Sequence, residues 1–127
     1  MPWLLRDDDV VAALEVADGF GARLRGLLGR DGVEGALLLR PARSVHTFGM
    51  RFPIDVAFCD RDLRVVAVCS LKPNRMTRPR WRARAVIEAE EGAFERWGLA
   101  VGDALRVEGG ASTGAPPGAG HDPASAP

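Results

Sequence analysis

Two apolar runs on either side of a polar turn decide the fold of this chain. They are Ile54-Asp55-Val56-Ala57-Phe58-Cys59 and Val65-Val66-Ala67-Val68-Cys69-Ser70-Leu71, with Asp60-Arg61-Asp62-Leu63 between them. Short runs rich in β-branched residues and bounded by turn residues are typical of paired strands. The stretch therefore predicts a β-hairpin.

Further short strands are predicted on both sides of this hairpin. They are Val10 to Ala17, Ala36 to Leu39, Ser44 to Phe48, Arg84 to Glu88 and Ala104 to Val107. Many short strands at close spacing predict a mainly β domain, either a small β-sandwich or an open barrel.

Two segments carry helical signals. Apolar residues recur at i, i+4, i+7 and i+8 within residues 19–28, and Gly29 follows where a left-handed residue commonly ends a helix. Gly92 to Trp97 suits one or two helical turns closed by Gly98. We expect one helix at about 19–28 and a short helix at about 92–97.

Composition predicts one folded domain with a polar tail. The chain has 127 residues, of which 46% are hydrophobic and 27% charged, enough for a single core over residues 1–108. Residues 109–127 contain only Gly, Ala, Pro, Ser and Thr apart from His121 and Asp122, and a segment of this kind is expected to be disordered. Net charge is zero, which disfavours nucleic acid and membrane surfaces as general partners, and we expect a monomer.

The cysteines and the N-terminus predict a cytoplasmic protein. Cys59 lies near the predicted turn and Cys69 at the far end of the other arm, too far apart for the Cα separation of about 6 Å that a disulfide needs. Free thiols fit a reducing compartment. The N-terminal residues have no apolar signal-peptide core, and no run approaches the roughly 20 residues of a membrane span.

The segment from Ser44 to Asp55 holds the first candidate site. His46 is the only histidine outside the tail, and Asp55 alternates away from the most apolar face of its strand. A turn at Gly49 could bring the imidazole and the carboxylate together, which would permit ligand contact or acid–base catalysis. The alternative is structural, with Asp55 accepting backbone N–H groups of residues 47–51. No nucleophile motif accompanies the pair.

A basic loop is the second candidate site. Its charged residues are Lys72, Arg75, Arg78, Arg80, Arg82 and Arg84, interrupted by Pro73, Pro79 and Trp81. Guanidinium groups in an irregular loop suit phosphates or carboxylates, and an indole can stack on a ring. The alternative is a solvated loop whose charges are balanced by the nearby residues Glu88, Glu90, Glu91 and Glu95.

No metal or cofactor is predicted. The two cysteines form no zinc pattern, and the glycines before residue 33 do not follow the dinucleotide-binding spacing. His46, Asp55 and Glu88 would make a ligand set only if the fold happened to bring them together.

Five fragments, taken together and in order, resemble the DUF192 family. They are Arg25-Gly26-Leu27-Leu28-Gly29-Arg30, Val45-His46-Thr47-Phe48-Gly49-Met50, Phe52-Pro53-Ile54-Asp55-Val56-Ala57-Phe58, Val86-Ile87-Glu88, and Gly98-Leu99 with Gly102-Asp103. The resemblance covers roughly Leu14 to Val107 and implies a small, mainly β fold of jelly-roll-like character. It implies no settled activity. The basic stretch from Arg75 to Arg84 departs from the family, which usually has acidic or small residues there.

The sequence thus predicts a module that binds a small anionic ligand or an acidic protein surface. Its predicted site residues are His46, Phe48, Met50, Asp55, Arg78, Arg80 and Trp81. Two other functions stay open: a hydrolase or isomerase that uses His46 and Asp55 as an acid–base pair, and an adaptor that docks through Arg75 to Arg84. Whether the protein is an enzyme is therefore undecided at this stage.

Overall fold

The computed structural model describes residues 2–17, 32 and 34–109 of the chain. The strands are β1 (Pro2–Arg6), β2 (Asp9–Ala17), β3 (Ala36–Leu39), β4 (Ile54–Cys59), β5 (Val65–Leu71), β6 (Ala85–Glu90) and β7 (Leu105–Gly109). The helix α1 spans Ala93–Trp97. The prediction of a mainly β fold is confirmed.

The strands form one sheet in the order β5-β4-β6-β3-β2-β1-β7. Neighbouring strands are antiparallel except for β2 and β3, which are parallel. The two end strands are not joined by a continuous ladder. A single bridge between Arg64 and Ala104, supported by a bond of 2.9 Å from the Val65 amide to the Asp103 carbonyl, links the start of β5 to the start of β7. The sheet is therefore open.

Both faces of the central strands are buried. On β4, Val56 and Phe58 belong to one apolar cluster, and Ala57 and Cys59 belong to the other. The second cluster includes Phe94 of α1, so the helix covers that face. We call the Phe94 side the inner face and the Phe58 side the outer face. Successive side chains of β4 point to opposite faces of the sheet. Because both faces are covered, every residue of β4 is buried.

The hairpin and several strand bounds agree with the sequence prediction. β3, β4 and β5 have the predicted bounds, and α1 lies between Gly92 and Gly98, both in the left-handed region. The cysteines are free, since the β4–β5 register sets Cys59 opposite Val65 and Cys69 opposite Val56. The predicted helix at 19–28 and the tail beyond residue 109 lie outside the described residues.

Apart from shifts of one or two residues at the ends of β2, β6 and β7, three features differ from the sequence prediction. β1 was not predicted, and it joins β2 to β7. Gly109, assigned to the tail from composition, is the last residue of β7 and pairs with Pro2. The segment 44–48 is not a strand, because its pairing in the described part of the chain is a single bridge of His46 with Met76, formed by bonds of Val45 and Thr47 to Thr77 and Arg75.

Candidate functional site

Asp55 supports the helix α1 from the inner face of β4. Its Oδ2 accepts the backbone N–H groups of Gly92 at 3.0 Å and Phe94 at 3.1 Å, and its Oδ1 accepts the Ser70 hydroxyl at 2.8 Å. The carboxylate is buried, and both of its oxygens are engaged. The donors come from the start of α1, where backbone amides lack intrahelical partners, and not from residues 47–51 as the structural alternative supposed.

His46 lies on the surface of the adjoining loop. Its imidazole stacks on Phe48 with ring centroids 5.5 Å apart, and both side chains are exposed. Met50 is buried in the outer cluster. No hydrogen bond joins His46 to Asp55 in the described part of the chain, where Asp55 bonds to Ser70, Gly92 and Phe94.

Thr47 is the residue of this motif that sequence reasoning missed. It is fully buried, and its hydroxyl donates to the Lys72 carbonyl at 2.6 Å and accepts the Arg75 amide at 2.8 Å. Its backbone N–H donates to the Arg75 carbonyl at 2.7 Å, and its carbonyl accepts the Asn74 amide at 2.9 Å. Thr47 therefore joins the 44–50 loop to the 72–77 loop. In the sequence, the sign of this role was a single hydroxyl side chain within an apolar motif.

An open groove lies beside β5. Its lining residues are Val66, Ala67, Thr77, Arg78, Pro79, Arg80, Trp81 and Arg82, and its volume is about 660 Å³. The wall is held by the preceding loop, since Thr77 donates its amide to the Val45 carbonyl at 2.8 Å and Arg80 donates to the Arg43 carbonyl at 2.9 Å. We call this feature the arginine groove.

The guanidinium of Arg80 lies over a buried aromatic ring. Its central carbon is 5.0 Å from the ring centroid of Phe58, which is fully buried on the outer face. A cation over an aromatic ring is attracted by the ring's quadrupole. Trp81 follows with 78% of its surface exposed. The guanidinium of Arg80, positioned by Phe58, is thus followed in the chain by the exposed indole of Trp81.

The arginines of the groove have no acidic partners among the residues that the structure describes. Of the glutamates expected to balance the loop, Glu90 pairs with Arg96 at 2.7 Å and Glu88 is buried in the sheet. Arg84 differs from Arg78, Arg80 and Arg82, because its guanidinium donates to the carbonyls of the local turn at 2.8 and 2.9 Å.

Three titratable groups of the sheet, Cys59, Cys69 and Glu88, have raised pKa values. Burial raises the pKa of Glu88, which lies between Leu37 and Val56 on the outer face, to about 7. Burial also raises the pKa of the Cys69 thiol, while the Arg80 charge opposes that rise and the Asp55 charge adds to it. Arg80 lines the groove together with Val66 and Ala67 of β5 and lies over Phe58.

The structure brings three of the seven predicted site residues together in the arginine groove. Arg78, Arg80 and Trp81 line the same groove, whereas His46, Phe48, Met50 and Asp55 are not among its lining residues. Within residues 2–17, 32 and 34–109, no three His, Cys, Asp or Glu side chains form a group that could hold a metal ion. The described helix is too short to span a membrane.

The chain belongs to the DUF192 family, whose model, described as "Uncharacterized ACR, COG1430", matches residues 4–107. A UPF0127 protein of Pyrococcus horikoshii is 35% identical over 98 residues, which cover 73% of this chain and 85% of the relative. The resemblance seen in the sequence is confirmed. The family carries no specific function.

Two solved structures share the fold. A protein of unknown function from Novosphingobium aromaticivorans has a TM-score of 0.69 at 18% identity, covering 83% of this chain and 82% of its own. A Sinorhizobium meliloti protein, named provisionally as a transcription regulator, has a TM-score of 0.72 at 19% identity, covering 84% and 91%. At such identities the similarity shows the fold alone.

Proposed function

We propose that this protein is a binding module for an anionic ligand or partner, which it holds in the arginine groove. The observation that carries the proposal is the position of Arg80. Its guanidinium lies 5.0 Å from the centroid of the Phe58 ring, and its backbone N–H donates to the Arg43 carbonyl. A charge held in this way loses less side-chain entropy when it binds an anion than a free surface arginine does.

The neighbours of Arg80 complete the site. Arg78 and Arg82 are exposed on the same wall and have no carboxylate partner in the described residues, so their charges are available to a ligand. Trp81 offers a flat apolar surface on which a ring or an apolar side chain can pack. The free thiols of Cys59 and Cys69 are consistent with work in a reducing compartment, which supports a cytoplasmic location.

The predicted pocket residues around His46 have an accessory role in the proposed function. His46 and Phe48 form an exposed stacked pair on the loop whose residues Arg43 and Val45 hold the groove wall. They could contact a ligand that extends beyond the groove. The acid–base pair has less support, because both Asp55 oxygens are engaged by Ser70 and α1.

Titration calorimetry with inorganic pyrophosphate and with citrate tests the proposal. We compare the wild-type chain with a triple variant in which Arg78, Arg80 and Arg82 become Ser. The matched control changes three exposed arginines outside the groove, Arg61, Arg96 and Arg106, to Ser, so that net charge changes equally.

We expect binding of at least one anion, a loss of about tenfold or more in the groove variant, and weaker binding as salt rises. The control should bind like the wild type. Absence of binding by both anions, or an equal loss in both triple variants, would overturn the proposal.

A further inference from the structure

The strand β5 has an edge that no described residue occupies beyond its first position. Among the described residues, β5 is the end strand of the sheet and forms a ladder only with β4. On its other side, Val65 bonds to Gly102 and Asp103, and the bridge of Arg64 with Ala104 lies just before the strand. From Val66 to Leu71, no backbone bond to another described segment continues that pairing. The strand therefore presents backbone N–H and C=O groups.

This edge lacks the charged residues and prolines by which proteins often protect a free strand, and its irregularity is a bulge at Val66 near the start of β5. The run Val65 to Leu71 contains no charged residue, no Pro and no Gly, and Val68 is 37% exposed. At the opposite end of the sheet, β7 carries Arg106 and Glu108, which form an ion pair of 2.7 Å. Exposed apolar edge strands are templates for the addition of another strand, and charges normally block them. β5 therefore resembles a docking edge.

The arginine groove adjoins this edge on the outer face. Val66 and Ala67 line the groove and belong to β5. Ala67 pairs with Phe58, the residue over which the Arg80 guanidinium lies. Positive charge and free backbone groups thus lie side by side.

We propose that the arginine groove and the β5 edge together bind an extended acidic peptide segment of a partner protein, which adds to the sheet as a strand. The inference rests on the proposed anion-binding function and names the class of partner. A peptide supplies both the N–H and the C=O groups that a strand edge requires, whereas the phosphates of a nucleic acid only accept hydrogen bonds.

A second copy of this chain fits the edge less well. Pairing between two β5 strands would bring two sets of Arg78, Arg80 and Arg82 towards one another, and like charges in close approach disfavour association. An acidic segment has the complementary charge. The charge of the groove therefore selects the acidic peptide.

The pleat of an added strand fixes the pattern of the peptide. Successive side chains of a strand point to opposite faces of the sheet, so only every second residue would face the arginines. The intervening residues would lie on the inner-face side, next to Val68. We therefore expect acidic residues at alternate positions, separated by small or apolar residues.

The test uses the full chain and capped eight-residue peptides in which Glu and Thr alternate. A comparison peptide has the same composition with all the Glu residues in one block. Two further peptides carry N-methyl groups on one or the other alternate set of amides, which removes the N–H groups from one edge without changing the charge. Binding is measured by calorimetry, with pyrophosphate titrated in parallel.

The alternating peptide should bind about tenfold or more tightly than the block peptide. One N-methylated peptide should lose binding and the other should keep it, because only one edge of the peptide faces β5. Replacing Arg78, Arg80 and Arg82 by Ser should weaken both peptide and pyrophosphate.

Several results would overturn the inference and leave the proposed function standing. They are equal binding by both N-methylated peptides, equal binding by the block peptide, binding of pyrophosphate without binding of the peptide, or a dimer of the free chain in which the β5 amides are protected from exchange. If neither pyrophosphate nor the peptide binds, the proposed function fails and this inference fails with it.

Discussion

The Asp55 carboxylate accepts the backbone N–H of Phe94 at 3.1 Å, across 39 residues of sequence. The same Oδ2 accepts the N–H of Gly92, which precedes α1. A helix of five residues is too short to be stable on its own, because its nucleation is unfavourable. Asp55 thus substitutes for a cap residue and fixes α1 against the inner face.

Replacing Asp55 by Ala should destabilise the domain by about 1–3 kcal/mol, because the buried amide of Phe94 and the partly buried amide of Gly92 lose their acceptor. Urea unfolding of the two proteins measures the difference. Ser70→Ala is the matched control, since it removes only one hydrogen bond to the same carboxylate and should have a smaller effect. An unchanged midpoint in Asp55→Ala would contradict the assignment of a supporting role.

Thr47→Val should also destabilise the protein, by about 1–3 kcal/mol. Valine keeps the shape of threonine but removes the hydroxyl that binds the Lys72 carbonyl and the Arg75 amide. Hydrogen exchange should become faster at residues 72–77, which Thr47 holds in place. Thr77→Val, which loses a single bond from the Val45 amide, is the control. Equal stability of both variants would show that the Thr47 hydroxyl does not help to hold the two loops together.

Glu88 should make stability depend on pH. Its pKa is raised by burial from 4.5 to about 7, so between these values the folded state binds more protons than the unfolded state. The free energy of unfolding should therefore fall as pH rises through this range, by up to about 3 kcal/mol for the full shift. Glu88→Gln should lack this decline. Equal slopes for wild type and variant in urea melts from pH 4 to pH 8 would refute it.

The two thiols should differ in reactivity. Burial and the Asp60 charge raise the pKa of Cys59 to about 12, and its side chain is fully buried, whereas Cys69 is only partly buried. A thiol reagent at mildly alkaline pH should modify Cys69 in the folded protein and Cys59 only after unfolding. Arg80→Ser should slow the reaction at Cys69, because the arginine opposes the rise of that pKa. A thiol pKa in Arg80→Ser that equals the wild-type value, measured from the pH dependence of the reaction, would show that the Arg80 charge does not act on Cys69.

The sequence predicted the strands whose apolar residues recur locally, and it failed where distant contacts decide. Alternation in Ile54 to Cys59 was sufficient to place β4. Ser44 to Phe48 also contains residues that favour strands, but its pairing is limited to the single bridge of His46 with Met76. No turn signal in the sequence was strong enough to separate β1 from β2. In addition, β1 pairs with β7, and this pairing joins residues about a hundred positions apart.

The sequence predicted which residues form part of the arginine groove, but not how these residues are arranged. A cluster of arginines around Trp81 was visible in the sequence, and the structure brings Arg78, Arg80 and Trp81 into one groove. Local sequence could not show that Arg80 would lie over Phe58, because that contact depends on the path of the loop across the outer face. Nor could it show that Asp55 would face the start of α1.

Nitrogen–proton correlation spectra of the full chain, recorded during a titration with inorganic pyrophosphate, test directly whether the arginine groove binds anions. If it does, the Trp81 indole N–H and the backbone amides of Ala67 and Arg80 should shift together and saturate, while the indoles of Trp3 and Trp97 stay unchanged. Shifts that do not saturate, or that affect all three indoles equally and leave Ala67 and Arg80 unmoved, would contradict anion binding in the arginine groove.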